Sequence, residues 1–212
     1  MEIYRLMFDR FGAQHWWPGE SRFEIVLGAI LTQNTNWTNV EKAIANVKAD
    51  DALCPEKLYR MDTATLAQLI KPAGYFNLKA GRLKNFLKWL FDNYDGQINA
   101  LENLSVWDIR EQLLGIKGIG PETADSIALY AYDKPVFVVD TYTCRIMVRH
   151  GLIEPEAGYE QIREFMEASL PGEIELFNEY HALLVQIGKT YCRPRAKCDG
   201  CPLQSLSHTC PC

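Results

Sequence analysis

The stretch Leu113-Leu114-Gly115-Ile116-Lys117-Gly118-Ile119-Gly120-Pro121-Glu122-Thr123-Ala124 decides the fold. Gly118 and Gly120 bracket one apolar residue, so the chain can turn tightly there and expose its amides. Pro121 suits the first position of a helix, where its missing N–H costs nothing. Free amides at a helix start form a cradle for phosphate. A hairpin of this kind holds a nucleic-acid backbone without reading its bases. Beyond it stands an isolated acid, Asp140, in Val138-Val139-Asp140-Thr141. Asp140 suits the N-cap of a helix beginning at Thr141. It also suits an electrostatic role, since a helix N-terminus keeps a carboxylate ionised.

Outward from the hairpin, apolar residues recur at helical spacing. Phe23, Val26, Leu27, Ile30 and Leu31 form one stripe; Leu83, Phe86, Leu87 and Leu90 form another. Val136-Phe137-Val138-Val139 is the best candidate strand, but it is short and runs into the cap at Asp140. Breakers fall at Pro18-Gly19, Pro72-Ala73-Gly74, Asp95-Gly96, Lys134-Pro135 and Pro171-Gly172. The pattern predicts an all-α chain of about nine or ten helices.

The 212 residues are 48% hydrophobic and 23% charged, the balance of an ordinary globular protein. No apolar run of about 18 residues predicts a membrane helix, and Glu2, Arg5, Asp9 and Arg10 interrupt any signal-peptide core. The expectation is a cytoplasmic, nucleoid-associated protein. The formal net charge of −5 argues mildly against nucleic acid as partner. Three basic clusters argue the other way: Lys79, Arg82, Lys84 and Lys88; Arg145, Arg149 and His150; Arg193, Arg195 and Lys197. Solvated helix surface and phosphate contact are equally good readings of each cluster.

Five of the seven cysteines lie in the last 21 residues, with Cys192-x5-Cys198-x2-Cys201 followed by Cys210 and Cys212. Without a secretion signal, disulfides are the weaker reading. Four neighbouring thiolates suit structural zinc or a [4Fe–4S] cluster, and spacing alone leaves that choice open. Cys54 and Cys144 read as small core residues.

Four elements in order resemble the helix-hairpin-helix DNA glycosylases of the endonuclease III superfamily. They are Leu31-Thr32-Gln33-Asn34-Thr35, Gly74-Tyr75-Phe76-Asn77-Leu78-Lys79-Ala80, the hairpin with Asp140 behind it, and the terminal cysteines. The resemblance implies two helical domains. Residues 23–136 would form a six-helix domain with the helix-hairpin-helix at about 105–132. Residues 1–22 and 137–212 would form the other, carrying an iron–sulfur loop at 192–212, with DNA lying between the two. A monomer is the family expectation. The resemblance turns the cysteines toward a [4Fe–4S] cluster held by Cys192, Cys198, Cys201 and Cys210. The family spacing, C-x6-C-x2-C-x5-C, is one residue longer in the first gap and shorter in the last than this chain's. The cluster would fold the loop and present Arg193 and Arg195 to phosphate.

The same resemblance makes Asp140 the catalytic carboxylate and double-stranded DNA with damaged bases the partner. Lys117, Gly118 and Gly120 would hold the strand, Gln33 would fill the gap left by a flipped base, and Tyr75 would wedge the opposite strand. Gln33 equally suits a bond to backbone, and Tyr75 the core. Bifunctional members carry a lysine where this chain has Glu122, and a carboxylate forms no Schiff base. Trp16-Trp17-Pro18 and Trp37 are similar to the aromatic residues of the 3-methyladenine glycosylases of endonuclease III type. An indole face attracts a cationic alkylated purine, although tryptophan is also commonly core. The expectation is a monofunctional glycosylase for alkylated purines. A glycosylase-lyase for oxidised or deaminated pyrimidines, and a binding module without catalysis, are the competing readings.

Overall fold

The protein is described by a computed structural model covering residues 1–209. In chain order its helices are α1 (Glu2–Phe11), α2 (Arg22–Thr32), α3 (Trp37–Ala49), α4 (Pro55–Arg60), α5 (Thr63–Leu69), α6 (Phe76–Tyr94), α7 (Val106–Leu114), α8 (Pro121–Tyr132), α9 (Thr141–Arg149), α10 (Tyr159–Ser169) and α11 (Ile174–Thr190). Two 3-10 segments, Lys71–Ala73 and Ile98–Asn103, complete the regular structure of the described residues, which include no strand. The helices outnumber the sequence expectation because α4 and α5 are only six and seven residues long. An apolar repeat needs a longer window to show itself. No helix of the described residues is long and apolar enough to cross a membrane.

The chain folds as two compact units, Pro18–Lys134 and a second made of Met1–Trp17 with the chain from Pro135 onward. In the first, α2 is buried along almost its whole length, from Phe23 to Leu31. A helix apolar all round must be surrounded, and α3, α6 and α8 pack against it. Side-chain caps start most of these helices: Ser21 for α2, Asn36 for α3, Asp62 for α5 and Ser105 for α7. A buried ion pair joins α7 to α8. Arg110 Nε and Nη2 donate to the two oxygens of Asp125, a residue with no exposed surface.

In the second unit α11 packs on α1 and α9. Phe137, Phe177 and Tyr180 form an edge-to-face cluster, with ring centroids 5.5 and 5.9 Å apart. The candidate strand Val136–Val139 is instead a buried segment without regular secondary structure. Its Phe137 amide donates to Glu167 Oε1 of α10 at 2.9 Å. The β-branched run meets the core demand as a single strand of chain because a side chain, not a sheet, takes its amide.

Candidate active site

The hairpin joins α7 to α8. Ile119 N donates to Ile116 O at 3.0 Å, closing a turn over Lys117 and Gly118. Gly118 sits at φ 102°, and a Cβ there would stand 2.4 Å from Cγ of Arg82. Backbone conformation and the Arg82 stem thus both demand glycine. Gly120 is the extended N-cap of α8 with Pro121 in its first turn, as the sequence predicts. Nothing lies within 4 Å of a Cβ built at Gly120, so backbone there stands open. Lys117 and Glu122 are exposed on either side.

Three side chains fix this turn. Arg82 Nη1 of α6 donates to Gln33 Oε1. Gln33 Nε2 donates to Gly118 O at 3.1 Å and to Thr123 Oγ1 at 2.9 Å. Asn85 Nδ2 donates to Lys117 O at 2.8 Å. Gln33 therefore makes the backbone bond that its sequence left open beside gap filling. Tyr75 is the opposite case: it stands 69% exposed just ahead of α6, at φ 45°. A bulky residue held in that region is strained, and here its side chain is turned to solvent.

In the other unit Asp140 caps α9. Its Oδ1 accepts from Thr143 N at 2.7 Å and from Thr143 Oγ1 at 3.0 Å. Its Oδ2 lies 3.6 Å from His181 Nε2 of α11. Burial pushes the carboxyl pKa up, but His181 and Thr143 outweigh that and hold it below the ordinary value. Cap and ionised carboxylate are one residue. The Asp140 side chain keeps 12% of its surface open. Trp16 meets the His181 ring edge-on, centroids 6.5 Å apart at 88°. Trp17 meets Trp16 at 5.7 Å and 87°. Lys189 Nζ stands 5.8 Å from the Trp16 centroid. The structure thus gathers Trp16, Trp17 and Asp140 in one unit, whereas Trp37 opens α3 in the other. Both Trp16 and Trp17 are half-buried.

The profile of the HhH-GPD superfamily base excision DNA repair proteins matches residues 27–171, which include the hairpin and Asp140. The chain belongs to that superfamily. It is a DNA glycosylase of the endonuclease III-like kind. A Methanocaldococcus jannaschii protein that carries the name of DNA repair glycosylase is 48% identical over 206 residues, covering 97% of this chain and 94% of its own. The 3-methyladenine DNA glycosylase of H. pylori, solved with 1,N6-ethenoadenine, matches with a TM-score of 0.75 and 29% identity, over 89% of this chain and 96% of its own. An endonuclease III in a non-covalent DNA complex matches in fold, with a TM-score of 0.83 at 21% identity, over 96% of this chain and 91% of its own.

The glycosylase uses its basic clusters differently from one another. Lys79 is buried, and its Nζ donates to Leu31 O at 2.8 Å and Ala73 O at 2.7 Å. Lys84 Nζ donates to Leu58 O and Tyr59 O, both at 2.7 Å. Lys88 pairs with Asp92. In this cluster Lys79 and Lys84 hold helix ends. In the second cluster, Arg145 Nη1 donates to Cys192 O at 2.9 Å. Arg149 donates to Cys192 Sγ at 3.2 Å, Arg193 O at 2.7 Å and Pro194 O at 2.8 Å. Arg193, Arg195 and Lys197 are exposed. Arg193 also donates through Nε to Lys189 O.

Cys192, Cys198 and Cys201 line one cavity together with Arg149. Among the described residues no group of three His, Cys, Asp or Glu is arranged to hold a metal ion. Cys210, the fourth expected ligand, lies outside the described residues, as does Cys212. The donor chemistry nevertheless suits an electron-rich sulfur group: three cysteines share a cavity wall, and a guanidinium already bonds one sulfur.

Sequence reading passes over His181, Thr143 and Asn85, and takes Arg82 only as one member of a basic cluster. Their signal is weak, because each acts through a partner far along the chain or through one oxygen of a carboxylate.

Proposed function

We propose that this glycosylase is monofunctional and excises alkylated purines such as 3-methyladenine from duplex DNA. The observation that carries the reading is the Trp17–Trp16–His181–Asp140 chain of contacts, which sets two indoles beside an ionised carboxylate. The likeness to the H. pylori 3-methyladenine enzyme supports it.

A base must leave the stack before its glycosidic bond can be reached. The hairpin amides and Lys117 hold the strand through phosphate, and Tyr75 enters the duplex from its exposed position. Trp16 and Trp17 take the extruded cationic purine on their rings, where stacking contributes about 1–3 kcal/mol. The C1′–N bond breaks with its electron pair moving to the base, which becomes neutral. Positive charge gathers on the deoxyribose, and the Asp140 carboxylate stabilises it. Water then bonds to C1′ and gives its proton to Asp140 or to solvent. The products are a free base and an intact abasic strand. Glu122 has no amine to form a Schiff base with the sugar, so the strand is not cut.

Cys192, Cys198, Cys201 and Cys210 would hold a [4Fe–4S] cluster, whose part is to cross-link the loop that carries Arg193 and Arg195. Borohydride reduction in the presence of methylated duplex DNA tests the monofunctional reading. No covalent protein–DNA adduct is expected, and a trapped adduct would contradict it.

A further inference from the structure

The Asp140 carboxylate has two oxygens with different partners. Oδ1 is committed to Thr143, through both the backbone amide and the hydroxyl. Those bonds fix one oxygen but leave the carboxylate plane to be set by whatever meets the other. Oδ2 meets His181 Nε2 at 3.6 Å. Histidine at that place follows from how α11 crosses α9. Gly188 lies two helical turns after His181, on the same face of α11. A Cβ at Gly188 would stand 2.3 Å from Tyr142 Cδ1, in the first turn of α9. Glycine thus brings α11 onto the start of α9, and the same face carries the imidazole to the residue that caps α9. The ring is 5% exposed, and the edge of Trp16 rests against it.

We propose that His181 is a positioning residue: it sets the plane of the Asp140 carboxylate and ties that plane to Trp16, so that carboxylate and base platform keep one register. The proposal rests on the reading of Asp140 as the catalytic carboxylate. Lys189 stands over Trp16, and Glu179 Oε1 accepts from Gln14 N. Neither contacts Asp140 in the structure's hydrogen bonds or ion pairs.

The test compares His181→Leu with His181→Asn, which keeps an N–H donor. Two quantities are measured: the single-turnover rate of base release from methylated duplex DNA, and the affinity for a duplex with an abasic-site analogue. His181→Leu is expected to slow release by about 10- to 100-fold, the range seen when a residue orienting a site's ligands is lost. Affinity should hold, and His181→Asn should recover the larger part of the rate. In an Asp140→Asn background His181→Leu should change nothing further. A wild-type rate in His181→Leu, or a loss of rate and affinity together that His181→Asn does not recover, would overturn the proposal. If His181→Leu does not fold, ring 15N shifts decide instead: His181 should move between wild type and Asp140→Asn, and an unmoved resonance overturns it. Base release by Asp140→Asn at the wild-type rate is a separate result. It removes the catalytic reading beneath the proposal.

Discussion

The hairpin and the Asp140 corner are built on opposite plans. The hairpin is made of backbone. Gly118 and Gly120 supply conformations and Pro121 a helix start, and side chains only brace the turn from behind. The corner is made of side chains from three distant segments, at Trp16 and Trp17, at Asp140 and Thr143, and at His181 and Lys189. A surface that holds any DNA strand needs repeated amides and no particular side chain. A site that stabilises charge at one atom needs oriented groups that do not move. The two plans therefore fail differently under mutation.

The largest effect should come from beneath the hairpin. Asp125→Ala strands the Arg110 guanidinium inside the α7–α8 interface. Losing one partner of a buried ion pair costs about 3–5 kcal/mol. At this size that lowers Tm by roughly 6–20 °C. Calorimetry showing an unchanged Tm would mean the hairpin helices do not depend on the pair. Asp140→Asn attacks the corner and leaves the fold: it should slow base release by about 10²- to 10³-fold or more while DNA affinity persists. Equal losses of rate and affinity would blur the division of labour between the regions.

Gly118→Ala is smaller and sharper. Alanine at φ 102° is strained, and its Cβ meets the Arg82 stem. The expected cost is about 1–3 kcal/mol of stability, with weaker duplex binding and an unchanged single-turnover rate at saturating protein. A variant that lost rate alone would show that the hairpin acts in the chemistry.

The smallest effect concerns Lys79, which anchors the end of α2 from which Gln33 reaches the hairpin. Burial, with the charge of Arg82 adding to it, pushes its pKa down to about 8. The unfolded chain keeps the ordinary higher value, so above about pH 8 it binds more protons than the folded one, and stability rises with pH. Relative to Lys79→Met, wild type should gain up to about 1.4 kcal/mol per pH unit from that point. Urea unfolding of both proteins at about pH 7 and about pH 9.5 checks this. A constant difference would show that the buried amine does not titrate there.

The same contrast explains what was legible in sequence. Gly118, Gly120 and Pro121 state their conformations by residue type, and Asp140 before Thr141 states a cap. Such signals are local, and the structure repeats them. Val136–Val139 reads as a strand because β-branched residues favour extended chain, but it joins no sheet and takes no regular secondary structure. Its lack of a partner depends on Glu167, which no local pattern reveals. Lys79, Lys84 and Arg193 look alike as charges. Only the fold decides that all three donate to carbonyls near helix ends, Lys79 from inside the core and Arg193 from an exposed position. His181 is least legible, because its partner is set by where Gly188 lets two helices meet.

The most direct measurement is base release from methylated duplex DNA by the purified protein, with freed bases separated by chromatography and strand breaks scored before and after alkali. Free 3-methyladenine, with breaks appearing only after alkali, is the predicted result. Release of no methylated base, or strand cleavage before alkali, would contradict it.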